Sequence, residues 1–170
     1  MNTTSTHDTK RGEDVRARIN VLSEMPREWE KFLKKCSKLN NRWKTVYNGR
    51  QMPDPNDEYL FYQTLIGTFN PSEDYQQYTK RISQYMLKAV KEAKEHTGWV
   101  DPHFEYEKAL SDFIDKALDR DISGQFIDEF IRFQQKISSY GIFNSISQCL
   151  LKIASPGLPD FYQGTELFDL

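Results

Sequence analysis

Apolar residues recur at steps of three and four along most of this chain, leaving one face of each segment to polar side chains. The clearest run is Tyr75, Tyr78, Ile82, Tyr85, Met86, Ala89, Val90 and Ala93, the spacing of a helix with one buried stripe. Ser72, after Pro71, is read as its N-cap. Trp29, Phe32, Leu33, Cys36 and Leu39 repeat the pattern, with Pro26 in the first turn and Asn40-Asn41 past the last periodic residue. Asp101-Pro102 opens a helix through Tyr106, Leu110, Phe113, Ile114, Ala117 and Leu118. Phe126, Ile127, Phe130, Ile131 and Ile137 predict another, ending near Gly141. Phe143, Ile146, Leu150 and Ile153 predict the last, before Ser155-Pro156-Gly157. Shorter helices are expected over 13–22 and 56–66, and the stretch 46–56, with Gly49, Pro53 and Pro55, reads as a linker between two helical subdomains.

Two segments at opposite ends do not read as helix. Residues 2–6 are rich in Thr, and residues 158–164 are a short aromatic stretch bounded by Pro and Gly. Two short strands cannot sustain a sheet alone. Either both ends are irregular or they belong to a sheet whose other strands lie outside this chain.

Composition narrows the function classes. With 170 residues, one hydrophobic core is within reach without disulfide or metal support. The 23 Lys and Arg nearly balance 25 Asp and Glu, which argues against the basic footprint of a nucleic-acid binder. Cys36 and Cys149 lie far apart, outside any CxxC pattern, and read as reduced thiols. No run of about 18 apolar residues suggests a membrane span, so no membrane partner is expected and the cytoplasm is the expected compartment. Tyr75, Tyr78 and Tyr85 fall on a helical stripe and read as core. Trp43, Tyr47, Trp99 and Phe104, at helix ends or loops, are better placed to stack on a sugar.

The densest polar cluster is Ser5-Thr6-His7-Asp8-Thr9-Lys10-Arg11-Gly12-Glu13-Asp14. Taken alone it is either an exposed turn leading into a helix or a ligand site with an acceptor, an imidazole and two cations. A metal-dependent phosphohydrolase needs another His earlier in the chain, and His7 is the first. His96 and His103 lack the i, i+4 spacing that aims two rings at one ion, so no metal site is expected.

The second cluster is more specific: Pro156-Gly157-Leu158-Pro159-Asp160-Phe161-Tyr162-Gln163-Gly164-Thr165-Glu166. It resembles the PGxPxxYxGxE segment at the eighth barrel strand of the α-amylase superfamily of glycoside hydrolases. Beside it, Thr6-His7-Asp8 resembles that superfamily's His-Asp pair at the end of the seventh strand. The extension from Ser5 to Arg18 resembles the maltooligosyl trehalose synthase family, as do Asn20-Val21-Leu22-Ser23-Glu24 with Trp29, residues 56–67, and residues 91–99. The resemblance runs from Thr6 to Leu170.

The resemblance implies a fold class: mainly α, a helical insertion domain flanked by remnants of strands seven and eight of an incomplete (β/α)8 barrel. Residues 1–12 would be the end of strand seven with its catalytic loop, and 13–141 the helical insertion. Residues 142–170 would hold a barrel helix, strand eight (158–163) and its exit loop. The implied activity converts the reducing-end α-1,4 linkage of a maltooligosaccharide into an α,α-1,1 linkage by a retaining mechanism, with no cofactor. Asp8 would be the carboxylate that steadies the distorted sugar, and His7 would bind its hydroxyls. Lys10 and Arg11 either meet the substrate or are neutralised by Glu13 and Asp14. Arg16 and Arg18 read as structural ion-pair formers. Glu166 lies in a loop of the kind that builds barrel active sites. No GxRxD-like segment supplies a nucleophile, so this chain alone is expected to be inactive. Two other readings stand beside this one: a free-standing helical scaffold for a protein partner, and part of a plain α-amylase-type hydrolase.

Overall fold

The structure, a computed structural model, describes residues 2–162 and 164–168. It is mainly helical. In chain order the described elements are β1 (Asn2–Thr3), α1 (Glu13–Glu24), α2 (Pro26–Asn40), β2 (Thr45–Tyr47), β3 (Arg50–Met52), α3 (Pro55–Thr68), α4 (Tyr75–Ala93), α5 (Phe104–Ala117), α6 (Arg120–Ala154) and β4 (Pro159–Asp160).

Four of the six helices, α3 to α6, start where a side chain can accept a free first-turn N–H. Asp54 accepts from the Asp57 amide at 2.8 Å and Asp74 from Gln77 at 2.9 Å. His103 Nδ1 accepts from Tyr106 at 2.9 Å, and Asp119 from Asp121 at 2.8 Å. The caps of α4 and α5 are therefore Asp74 and His103, two residues later than Ser72 and Asp101. An aspartate carboxylate is the stronger acceptor beside a helix N-terminus, and Pro102 disfavours a helical backbone at residue 101 before it.

The stretch read as a linker is a β-hairpin. Thr45 pairs with Met52, Val46 with Gln51 and Tyr47 with Arg50 in antiparallel register. Asn48 and Gly49 both hold positive φ, at 49° and 75°, the turn that an Asn-Gly pair favours. The predicted break near Gly141 is absent, and α6 continues through it to Ala154. Its one non-helical residue is Ser123, whose hydroxyl donates to the Lys116 carbonyl at 2.7 Å.

The core lies where α2–α6 meet the C-terminal half of α1, and rings fill much of it. Phe61, Tyr62, Tyr78, Phe113, Phe126 and Phe130 are essentially inaccessible. Phe69 packs edge-on against both Tyr78 and Phe130, at 5.2 and 5.1 Å between centroids. Tyr75 and Tyr85 are partly buried against this core, in line with the stripe read from sequence. Among the described residues no helix is long and apolar enough to cross a membrane.

At the opposite end of α1 and α6, β1 and β4 pair in parallel, Asn2 with Pro159 and Thr3 with Asp160. The pair is shorter than either predicted strand, and Gln163 at the end of the predicted eighth strand lies outside the described residues. All six helices intervene between the two strands.

Candidate functional site

The chain leaving β1 turns tightly at Thr6. Its carbonyl accepts from the Thr9 amide at 3.0 Å, and its own amide donates to Thr9 Oγ1 at 2.9 Å. His7 and Asp8 sit at the tip, with His7 Nε2 3.1 Å from Asp8 Oδ2 and side chains 78% and 85% exposed. Nothing on this turn holds either group away from solvent, so both are free to meet a ligand.

Lys10 and Arg11 reach different helices. Lys10 Nζ lies 3.2 Å from the Glu92 carboxylate on α4, an exposed pair worth little on its own. Arg11 Nη2 donates to Thr64 Oγ1 on α3 at 3.1 Å, while its Nη1 is buried with no partner among the described residues. A guanidinium nitrogen left without an acceptor is costly, and an incoming oxygen would relieve that cost.

Glu13, one of the two carboxylates weighed as partners for these cations, faces another residue. Glu13 pairs instead with Lys152, at 2.9 Å, with side chains 8% and 3% exposed. Lys152 Nζ also donates to Thr4 Oγ1 at 3.0 Å and to the Asp160 carbonyl at 3.2 Å, and it lies 4.1 Å from the centre of the Phe161 ring. The Thr4 hydroxyl donates to Glu13, and Arg16 donates to the Thr4 carbonyl. Arg18 donates to the carbonyls of Gly67 and Phe69 at 3.3 and 2.8 Å. Burial lowers its pKa, partly offset by Asp14. Arg16 and Arg18 are thus structural through the backbone carbonyls they serve, with Asp14 the carboxylate that acts on Arg18. Lys152 was missed because one lysine in an apolar-rich helix carries no motif; the only hint was its place four residues before Pro156-Gly157.

A second polar cluster lies beside the hairpin. His96 Nε2 is 2.8 Å from Asp54 Oδ2, and Asp57 accepts from the Tyr106 hydroxyl. Ligand atoms of Asp54, Asp57 and His96 lie within 4.8 Å of one another, close enough for a metal ion. Reading His96 against His103 alone overlooked this grouping, since its partners are 39 or more positions away in sequence. Each group already serves the protein: Asp54 caps α3 and the His96 ring stacks on Tyr106 at 4.6 Å. Of the stacking candidates, Tyr47, Trp99 and Phe104 are exposed, whereas Trp43 donates to Ser123 Oγ at 2.9 Å and packs against the core.

The C-terminal part of α6 differs from the rest of the molecule. Ile142, Phe143, Ile146, Leu150, Leu151 and Ile153 are all exposed, as is Leu158. A cavity of about 500 Å³ lies between this face and the loop through Thr165, Glu166, Leu167 and Phe168. Glu166 is itself exposed.

No protein-family model matches the chain. It is 34% identical over 170 residues to a putative maltooligosyl trehalose synthase of Mycobacterium tuberculosis, covering 99% of this chain and 20% of that protein. Among solved structures, it is similar to a maltooligosyl trehalose synthase at 40% identity and a TM-score of 0.87, over 99% of this chain and 22% of that one. A glycosyltrehalose synthase, DSM5389, matches at 44% identity and a TM-score of 0.85, over 99% and 21%. The Sulfolobus tokodaii hypothetical maltooligosyl trehalose synthase matches at 43% and 0.83, over 96% and 21%. The chain therefore spans about a fifth of the length of the relatives it matches.

Proposed function

We propose that this chain, homologous from end to end to one segment of the maltooligosyl trehalose synthases, is the helical insertion and flanking strands of an enzyme that forms α,α-1,1 linkages from maltooligosaccharides. The observation that carries the reading is the parallel pairing of β1 with β4. Parallel strands occur almost only inside larger sheets covered on both faces, and an isolated two-residue pair has little stability of its own. Parallel pairing also sends the loops after both strands to the same end of the sheet, where barrel active sites form. The His7-Asp8 turn follows one strand and the Glu166 loop follows the other, so the two motifs read from sequence share one edge.

In this reading residues 1–12 belong to the seventh barrel strand and its loop, and 142–170 to the helix, strand and loop that follow the insertion. The boundary at 141 lies inside α6, so insertion and barrel share one continuous helix. Asp8 acts as the carboxylate that steadies the distorted sugar, and His7, beside it, binds hydroxyls of the same ring. The unpartnered Nη1 of Arg11 supports its role as a substrate donor. Lys10 joins it by exchanging Glu92 for a sugar oxygen. The nucleophile and the acid/base come from elsewhere in the longer polypeptide, which acts in the cytoplasm in trehalose formation.

The test uses the full-length protein that carries this segment, with and without Asp8→Asn, incubated with maltopentaose and followed by NMR. Reducing ends should disappear without glucose release, and the substitution should lower turnover by about a thousandfold or more, the scale of losing a group that acts on the reacting centre. The 170-residue chain alone should give no turnover. Activity in the isolated chain, or undiminished turnover in the variant, would sink the assignment.

A further inference from the structure

We infer that Lys152 is the positioning residue that sets where the His7-Asp8 turn stands relative to β4; this rests on the reading above. Its ammonium group has three donors, and each has a different partner: Thr4 Oγ1 on the strand that leads into the turn, Glu13 Oε1 at the start of α1, and the Asp160 carbonyl at the end of β4. Phe161, the next residue, adds a cation–π contact from its ring, 4.1 Å away. With a side chain 3% exposed, no water competes for these bonds.

The clasp ties together the two chain segments that carry the motifs, 148 positions apart for Thr4. Thr4 stands four residues before Asp8 and is held on both sides, since its hydroxyl also donates to Glu13 and its carbonyl accepts from Arg16. The two-residue strand pair is too short to fix the register of the turn. The ion pair supplies what the ladder lacks. Burying a Lys–Glu pair is weak as a source of stability, whereas a tetrahedral donor with three fixed acceptors specifies geometry. Arginine would not substitute, because its planar fork matches two parallel acceptors and not three divergent ones.

The experiment again uses the full-length protein. Lys152→Met with Glu13→Gln removes both charges together and so leaves no unpaired ion. This variant should keep its far-UV and near-UV circular dichroism while kcat on maltopentaose, per folded enzyme, falls about ten- to a hundredfold, the scale expected when a reacting group is displaced by about 1 Å. KM should change by less than about threefold. Lys152→Arg should show a loss of the same kind. A folded double variant with the parental kcat, a loss confined to KM, or full rescue by arginine would each overturn the inference. If the double variant does not fold, Thr4→Val deletes only the hydroxyl between the two charged groups, and the same kcat criterion decides. The failures are distinguishable. A full-length protein that makes no α,α-1,1 product, or that tolerates Asp8→Asn, overturns both readings. One that needs Asp8 but ignores the clasp overturns this one alone.

Discussion

Asp57 occupies the first turn of α3, where a negative charge is normally welcome, yet its carboxyl is held above the usual range. Burial is the main cause and outweighs the hydrogen bond from Tyr106; the neighbouring Asp54 adds to it and His96 opposes it. A carboxyl that holds its proton more tightly when folded costs stability as pH rises from its unfolded value, about 3.9, through its raised folded value. Asp57→Asn keeps an acceptor for Tyr106 and removes this cost. The variant's melting temperature relative to the parent's should therefore climb as pH is taken from about 3.5 to 7; a difference that is flat or falls would contradict it. At this scale the sequence was legible where a motif names a residue, as with His7 and Asp8, whose adjacency at a turn tip follows from their adjacency in the chain. It was not legible for groups whose partners are remote. The Asp54–His96 contact spans 42 positions and the Lys152–Glu13 contact 139, and no local pattern encodes either.

Two helix crossings depend on the absence of a side chain. A Cβ at Gly141 would lie 2.7 Å from Arg18 Cγ and 3.1 Å from its Cα, and one at Gly67 would lie 2.8 Å from Val15 Cγ1. Arg18 has little room to move, because its guanidinium is tied to the carbonyls of Gly67 and Phe69. Gly141→Ala gains about 1 kcal/mol of helix propensity but forces α1 and α6 apart at a cost of about 1–3 kcal/mol. The net effect should be a melting temperature lower by several degrees. A Cβ at Gly124, in the same helix, would meet nothing within 4 Å, so Gly124→Ala should be neutral or stabilising by about 0.5–1 kcal/mol. Thermal unfolding of the two variants side by side checks the pair, and equal shifts would refute the crossing argument. The same glycine explains a misreading: Gly141 ends no helix because packing against α1 needs a small residue there. Helix existence was legible from periodicity throughout. The starts of α1 at Glu13 and α2 at Pro26 were legible too, but those of α4 and α5 were not, because Ser72 and Asp101 are good caps by type and the backbone chose the acceptor nearest the first turn. The Asn48-Gly49 hairpin carried a sequence signal that the surrounding prolines obscured.

Over the whole molecule, burial is uneven in a way that composition cannot reveal. Six helices meet in a ring-filled core, while the last three turns of α6 expose Ile142, Phe143, Ile146, Leu150 and Ile153 at helical spacing. A stripe of this kind is how a helix covers a sheet, and a contiguous apolar surface on a lone chain is a site of association. In the proposed parent the rest of the barrel covers it. Opposite outcomes are therefore expected for one substitution in two contexts. In the isolated chain Leu150→Glu should reduce dye binding and self-association in sedimentation velocity, leaving the helical circular dichroism intact. In the full-length protein the same change loses about 1.5–3 kcal/mol of apolar burial and adds the cost of a buried charge, so soluble yield and melting temperature should drop. A full-length protein indifferent to Leu150→Glu would mean that this face stays in water, and the two short strands would then have no barrel to join.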